Sequence, residues 1–303
     1  MGARETLGRV VSGRVVEVIA GFYRVVLTGD GPVLCRARGR LKGSEGIHPG
    51  DRVQVMVLDA EAGTGRVEEV LPRRSFLARP PIANVDRVVI VTPLARPRPQ
   101  SLLLDRLLVL TLHAGLEPLL CWTKADLEPD PVAPELVEVY RAAGFRTVVT
   151  SALSGQGMDG LVERLEDGVA VLAGPSGAGK SALLNRLAPG ATQQTAEVSR
   201  RTGRGRHTTR SARLWPVGGG WLADTPGFSR LDLPAMDPRE LAGLYPEFEA
   251  LAGACRFQGC MHATEPGCAV REAAQAGGIP PLRYQQYRRL LDEVEEAYRN
   301  RYR

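Results

Sequence analysis

From about Arg9 to Leu71, apolar and polar residues alternate in short runs punctuated by glycine. Examples are Gly13 to Val18, Tyr23 to Leu27 and Asp51 to Val57. A period of two belongs to strands with one buried face, and five such runs with turns between them predict a small barrel of the OB type. One run sets Arg36, Arg38, Arg40 and Lys42 on one strand face, with Cys35, Ala37, Gly39 and Leu41 on the other. Four cations in a row would suit the phosphates of a nucleic acid. The segment Leu71 to Pro81 reads as a linker.

After it the pattern changes to continuous apolar runs alternating with helical periodicity. Strands are predicted at Asp86–Thr92, Pro118–Trp122, Thr147–Thr150 and Val169–Ala173, and helices at Ser101–His113, Pro134–Ala143 and Gly157–Leu165. Strands separated by helices imply a parallel sheet with ligands at the strands' carboxyl ends. From about Met236 the pattern is helical, interrupted by a cysteine cluster and closed by a helix over Pro281–Tyr302. The fold class expected is multidomain α/β with an all-β N-terminal part: a barrel over residues 1–76, an α/β domain over 83–233 and a helical domain over 237–303.

Composition narrows the classes. With 303 residues, 44% of them apolar, the chain can bury a sizeable core. Met1 to Val10 holds charges and no long apolar run, and Leu102–Leu112 is broken by Asp105 and Arg106, so neither a secretory leader nor a membrane span is expected. Five cysteines, three of them crowded beside a histidine, fit a reduced cytoplasmic protein with a metal site better than a disulfide framework. Net charge is +5, carried by the first two regions, and lysine occurs only at positions 42, 124 and 180. Arginine favours phosphate and RNA contacts through its planar fork.

The densest chemistry lies after the Val169–Ala173 strand. Gly174, Pro175, Ser176, Gly177, Ala178, Gly179, Lys180 and Ser181, with Ala182 behind them, form a glycine-rich loop opening a helix. Such a loop turns successive backbone N–H groups toward phosphates; Lys180 would reach the β- and γ-phosphates and the Ser181 hydroxyl would ligate Mg²⁺. Upstream, Thr123, Lys124, Ala125 and Asp126 end a strand. The Asp126 carboxylate can accept from both N1–H and the exocyclic amine of guanine, a donor pair adenine lacks, and the Lys124 stem can lie over the base. Ser151, Ala152 and Leu153 follow the next strand, where backbone could receive the guanine oxygen. Downstream, Asp224 would hold Mg²⁺ through water and Gly227 would sense the γ-phosphate. Thr208 or Thr209, with Thr209 preferred, would complete the Mg²⁺ shell. Together these parts make a GTP site, but the guanine-reading pieces precede the phosphate loop. The order is circularly permuted, which is tolerated where the original termini lie close together.

Cys255, Cys260, His262 and Cys268 form C-x₄-C-x-H-x₅-C, a closed tetrahedral ligand set for one structural zinc. Zinc there would supply folding energy to a region with little core. Cys35 and Cys121 sit in strand patterns and read as core residues.

Over essentially its whole length the chain resembles the bacterial circularly permuted ribosome small-subunit-dependent GTPases, the RsgA or YjeQ family. The resemblance implies an OB barrel, a permuted P-loop GTPase domain and a zinc-binding helical C-terminal domain. It implies a protein that binds the maturing small ribosomal subunit and its rRNA, and that hydrolyses GTP to GDP there as an assembly checkpoint; nothing in the sequence suggests an obligate dimer or a membrane partner, so a monomer is expected. Two departures stand out: Thr123 replaces the usual asparagine, and Arg210 a third threonine. Phe228 occupies the position where many GTPases place a water-orienting glutamine, so His207 is the catalytic candidate. Arg200, Arg201, Arg204, Arg206, Arg210 and Arg213 crowd one acid-free run, which phosphate from GTP or rRNA would order. Two other functions use the same parts: a permuted GTPase of the large subunit, and a hydrolytically inactive, GTP-regulated RNA-binding module.

Overall fold

The structure, a computed structural model, describes residues 8–42, 46–78, 80–191, 212–223 and 232–301. They group into two compact units.

In the first unit, β1 (Val10–Ile19), β2 (Phe22–Leu27), β3 (Pro32–Ala37), β4 (Arg52–Asp59) and β5 (Thr64–Val70) close a barrel in the order β1-β2-β3-β5-β4. The two-residue period works as expected: Val15, Val25, Cys35, Val53, Val55 and Val67 fill the interior. β1 pairs with β2 and with β4, and a bulge between Val15 and Glu17 bends it to serve both. Glycine is required at position 13, where a Cβ would stand 2.6 Å from Val25 Cγ1 and 2.9 Å from the Val26 carbonyl oxygen.

The four-cation strand face is not formed. β3 stops at Ala37, where its pairing with β5 ends, and a turn of 3₁₀-helix spans Gly39–Lys42. Arg36 points outward from the strand beneath a cation–π contact with Phe22, 4.9 Å from the ring centroid. Arg38 lies past the strand end and pairs with Glu68 at 3.0 Å. Arg40 and Lys42 fall in the helical turn, whose period is three, and their side chains lie outside the described residues.

The expected linker is also folded. Arg73 clasps the fully buried Asp51 carboxylate at 2.7 and 2.9 Å. β6 (Phe76–Ala78) pairs with β7 (Pro81–Ala83), and Arg74 reaches Asp86 at 2.8 Å. An ion pair that costs desolvation needs fixed geometry, which a loose spacer would not supply.

β8 (Arg87–Pro93), β9 (Glu117–Thr123), β10 (Thr147–Val149), β11 (Val169–Ala173), β12 (Leu214–Val217) and β13 (Gly220–Ala223) form a sheet of order β10-β9-β8-β11-β13-β12. β12 is its antiparallel edge, joined to β13 by a tight glycine turn. The intervening helices are α1 (Ser101–His113), α2 (Ala133–Ala142) and α3 (Met158–Glu163), with α4 (Lys180–Leu187) after the glycine loop. The continuous apolar runs are the buried strands, as parallel sheets covered on both faces require.

In the second unit, α5 (Pro238–Ala242), α6 (Pro246–Ala252), α7 (Ala269–Gln275) and α8 (Pro281–Arg301) enclose Leu241, Tyr245, Phe248, Val270, Tyr287 and Leu290. Tyr245 and Phe248 stack at 5.1 Å and Tyr287 meets both edge-on. No helix among the described residues is long and apolar enough to cross a membrane.

Candidate nucleotide site and metal centre

The glycine loop leaves β11 at Gly174, whose φ is +141°. A Cβ there would sit 2.2 Å from the Val91 carbonyl oxygen of β8, so both conformation and space demand glycine. Gly177 and Gly179 also have positive φ, and α4 opens at Lys180. The Lys180 ammonium donates to the Gly174 and Pro175 carbonyls, both at 2.8 Å, which holds a cation inside the loop beside a helix N-terminus. This geometry suits a phosphate chain. Ser181 and Ala182 occupy exposed positions in the first turn.

Thr123 ends β9 and is 3% exposed. Its hydroxyl donates to the Ala178 carbonyl oxygen at 2.5 Å, tying the strand end to the phosphate loop. Lys124 takes a left-handed φ of +63°, with its Nζ on the Arg96 carbonyl oxygen at 2.5 Å. The turn is pinned to the next strand, since Ala125 N–H donates to Thr150 O at 3.1 Å and Thr150 N–H to Trp122 O at 2.7 Å.

Asp126 is exposed, and the fully buried Ser151 donates its hydroxyl to Asp126 Oδ1 at 2.5 Å. Ser151 Oγ itself accepts from Ser154 N–H at 3.0 Å, which fixes the direction of the hydroxyl. Spacing along the chain does not reveal this alignment of the carboxylate; parallel pairing of β9 with β10 creates it. Leu153 stands 82% exposed beside it. The remaining expected parts, His207, Thr208, Thr209, Asp224 and Gly227, lie outside the described residues, as does the arginine-rich run up to position 211.

The four metal-ligand candidates converge. One donor atom from each of Cys255, Cys260, His262 and Cys268 lies within 4.8 Å of the others. His262 Nδ1 stands 3.6 Å from the Cys255 sulfur and 3.4 Å from that of Cys268. Bond lengths of about 2.0–2.3 Å in a tetrahedron place donors roughly 3.3–3.8 Å apart, so a metal of zinc's size suits the two distances from His262. The backbone is shaped for it: His262, 2% exposed, adopts φ +54°, and Cys268 caps α7 by accepting from Arg271 N–H. Glu265, unremarked in the sequence, accepts from the N–H groups of Met261, Ala263 and Thr264 at 2.8–3.0 Å. The other two cysteines are buried in the barrel and sheet, where burial pushes each thiol up to about 12.

A family model described as RsgA GTPase matches residues 70–234, and one described as RsgA N-terminal domain matches residues 12–64. The chain belongs to the RsgA GTPase family. It is 47% identical, over 94% of its length and 97% of the relative's, to a protein of Moorella thermoacetica named small ribosomal subunit biogenesis GTPase RsgA. A protein of the same name from Carboxydothermus hydrogenoformans is 44% identical over 96% of this chain and all of that one. Among solved structures, the circularly permuted GTPase YloQ superposes with a TM-score of 0.80 at 30% identity, covering 97% of this chain and 98% of YloQ. YjeQ from Thermotoga maritima gives 0.79 at 33% identity, covering 94% and 99%. The protein is thus a GTPase with the permuted fold.

Proposed function

We propose that this protein binds GTP with Mg²⁺ in the cytoplasm and hydrolyses it on the maturing small ribosomal subunit, releasing GDP and phosphate when the subunit stimulates it. The observation that carries the nucleotide part is Ser151 aiming the Asp126 carboxylate while Thr123, three residues earlier, holds the phosphate loop. Base reading and phosphate binding therefore share one rigid turn. The names of the relatives support the small subunit as partner.

In this reading the loop Gly174–Ala182 wraps the phosphates and Lys180 exchanges its carbonyl partners for phosphate oxygens. Asp126 selects guanine, and Ser151–Leu153 bound the base. Ser181, Thr209 and Asp224 would hold Mg²⁺, which when bound neutralises phosphate charge, and Gly227 contacts the γ-phosphate. His207 orients the attacking water. The Cys₃His knuckle holds one zinc, which gives folding energy and has no open position for chemistry. Arg36 and Arg38 on the barrel, with Arg40 and Lys42 after them, contact rRNA phosphates.

The test is GTP turnover by the whole protein with and without purified small subunits, alongside co-sedimentation at increasing salt. Stimulation by small but not large subunits, and salt-sensitive association, are expected. Equal rates under all conditions overturn the proposal.

A further inference from the structure

The first turns of α8 face two ways. Tyr284 and Tyr287 donate their hydroxyls to the carbonyls of His262 (2.8 Å) and Met261, and Arg288 donates to Ala263 O at 2.7 Å, all within the metal knuckle. From the same turns, Arg283 donates to Asp105 Oδ1 in α1, and Gln286 donates to Ser101 Oγ at 2.9 Å. Arg283 also forks onto both carboxylate oxygens of Glu247 in α6, at 2.6 and 3.3 Å.

This guanidinium is 1% exposed and Asp105 is wholly buried. The rings of Tyr140, Phe145 and Tyr245 lie 5.3, 5.2 and 4.5 Å from its central carbon. Asp105 accepts from the Tyr140 hydroxyl at 2.5 Å, and the Tyr140 ring packs 6.3 Å from that of Trp122. Trp122 is the residue before Thr123 in β9.

Well-packed apolar side chains could fill such a space at no loss of stability, whereas a directional charged network admits one register. The network therefore ties one placement of the knuckle to one placement of α1, α2 and the end of β9. We infer that the metal knuckle and the nucleotide site are energetically coupled through Arg283, a positioning residue that holds the Thr123–Asp126 turn. The inference rests on the zinc reading of the knuckle and the GTP reading of that turn.

Coupling of two ligands is reciprocal, which gives two measurements on the whole protein. Stripping zinc weakens binding of a fluorescent GDP analogue by at least about fivefold, and saturating GDP lowers zinc loss to a chromophoric chelator at equilibrium by the same factor. In Arg283→Met the coupling factor falls toward one while the zinc-loaded variant still melts above the assay temperature; Arg283→Lys recovers only part of it, lacking the fork. Should Arg283→Met not fold, the two wild-type measurements decide. The inference is overturned if GDP affinity ignores the metal, if zinc affinity ignores GDP, or if the coupling survives intact in Arg283→Met. Elemental analysis finding no zinc, or zinc-loaded protein binding no guanine nucleotide, overturns it too, and each identifies which underlying reading failed.

Discussion

Replacing Thr123 by valine removes one hydroxyl and leaves the shape unchanged. Thr123 is 3% exposed and Ala178 is fully buried, so water cannot take over the bond to the Ala178 carbonyl. An orphaned buried acceptor costs about 1–3 kcal/mol. The loop can escape that cost by turning the carbonyl toward solvent, which spoils its phosphate-binding geometry while the sheet stays folded. The cost then falls on nucleotide affinity, about 5- to 150-fold in Kd. Titration with a fluorescent GDP analogue measures it, and thermal melting separates it from a global loss of stability. Preference for guanine over adenine is expected to persist, because Ser151 and Asp126 are untouched. A Kd within twofold of wild type, with melting unchanged, would show that the Thr123–Ala178 bond does not organise the loop.

Gly174→Ala brings a Cβ within 2.2 Å of the Val91 carbonyl oxygen at φ +141°; it is expected to abolish GDP binding at micromolar protein, read in the same titration, and retained binding would exclude the loop geometry described. Ser151→Ala frees the Asp126 carboxylate, so the ratio of GDP to ADP affinity should fall about tenfold; competition titration checks this, and an unchanged ratio removes Ser151 from base selection. Cys268→Ser removes a proposed metal ligand and alters the cap of α7, and loss of metal together with the near-ultraviolet signal of the Tyr245–Tyr287 cluster is expected, with normal zinc content as the contrary result. Burial, opposed by a backbone hydrogen bond, pushes the Glu247 carboxyl up from near 4.5 to about 7. A raised folded value means Glu247 stabilises below about 4.5 and loses that contribution as pH rises through about 7. The stability that Glu247 confers over Glu247→Gln, taken as the difference between their denaturant titrations at each pH, should fall across this range; a difference that stays constant would show that Glu247 does not titrate there.

The barrel, the strand–helix alternation and the phosphate loop were legible in the chain because local rules govern each. A two-residue period demands a one-faced strand, as at Val53–Val57, and Gly174–Ser181 carries its geometry in its own residue types. The Cys₃His spacing likewise announced a closed site. Where the outcome depended on pairing between distant segments, sequence alone went astray or fell silent. Period-two charge continued past Ala37, yet the end of pairing with β5 turned Arg40 and Lys42 into a helical turn. Pro and Arg in Leu71–Pro81 resembled a spacer, yet buried Asp51 captured Arg73. The glycine turn between Val217 and Gly220 did carry a hairpin signal, unread among stronger motifs.

Residue types determined which chemistry is proposed for this chain: a carboxylate for guanine, glycines and a lysine for phosphate, thiolates for a metal. Only the tertiary structure decided how those groups are held, because Ser151 lies 25 positions from Asp126, Ala178 lies 55 from Thr123 and Arg283 lies 178 from Asp105. Hydrogen bonds act within a few ångströms and ion pairs are screened within about 10 Å, so sequence separations of that length carry no local imprint, and the backbone must fold before such partners can select one another.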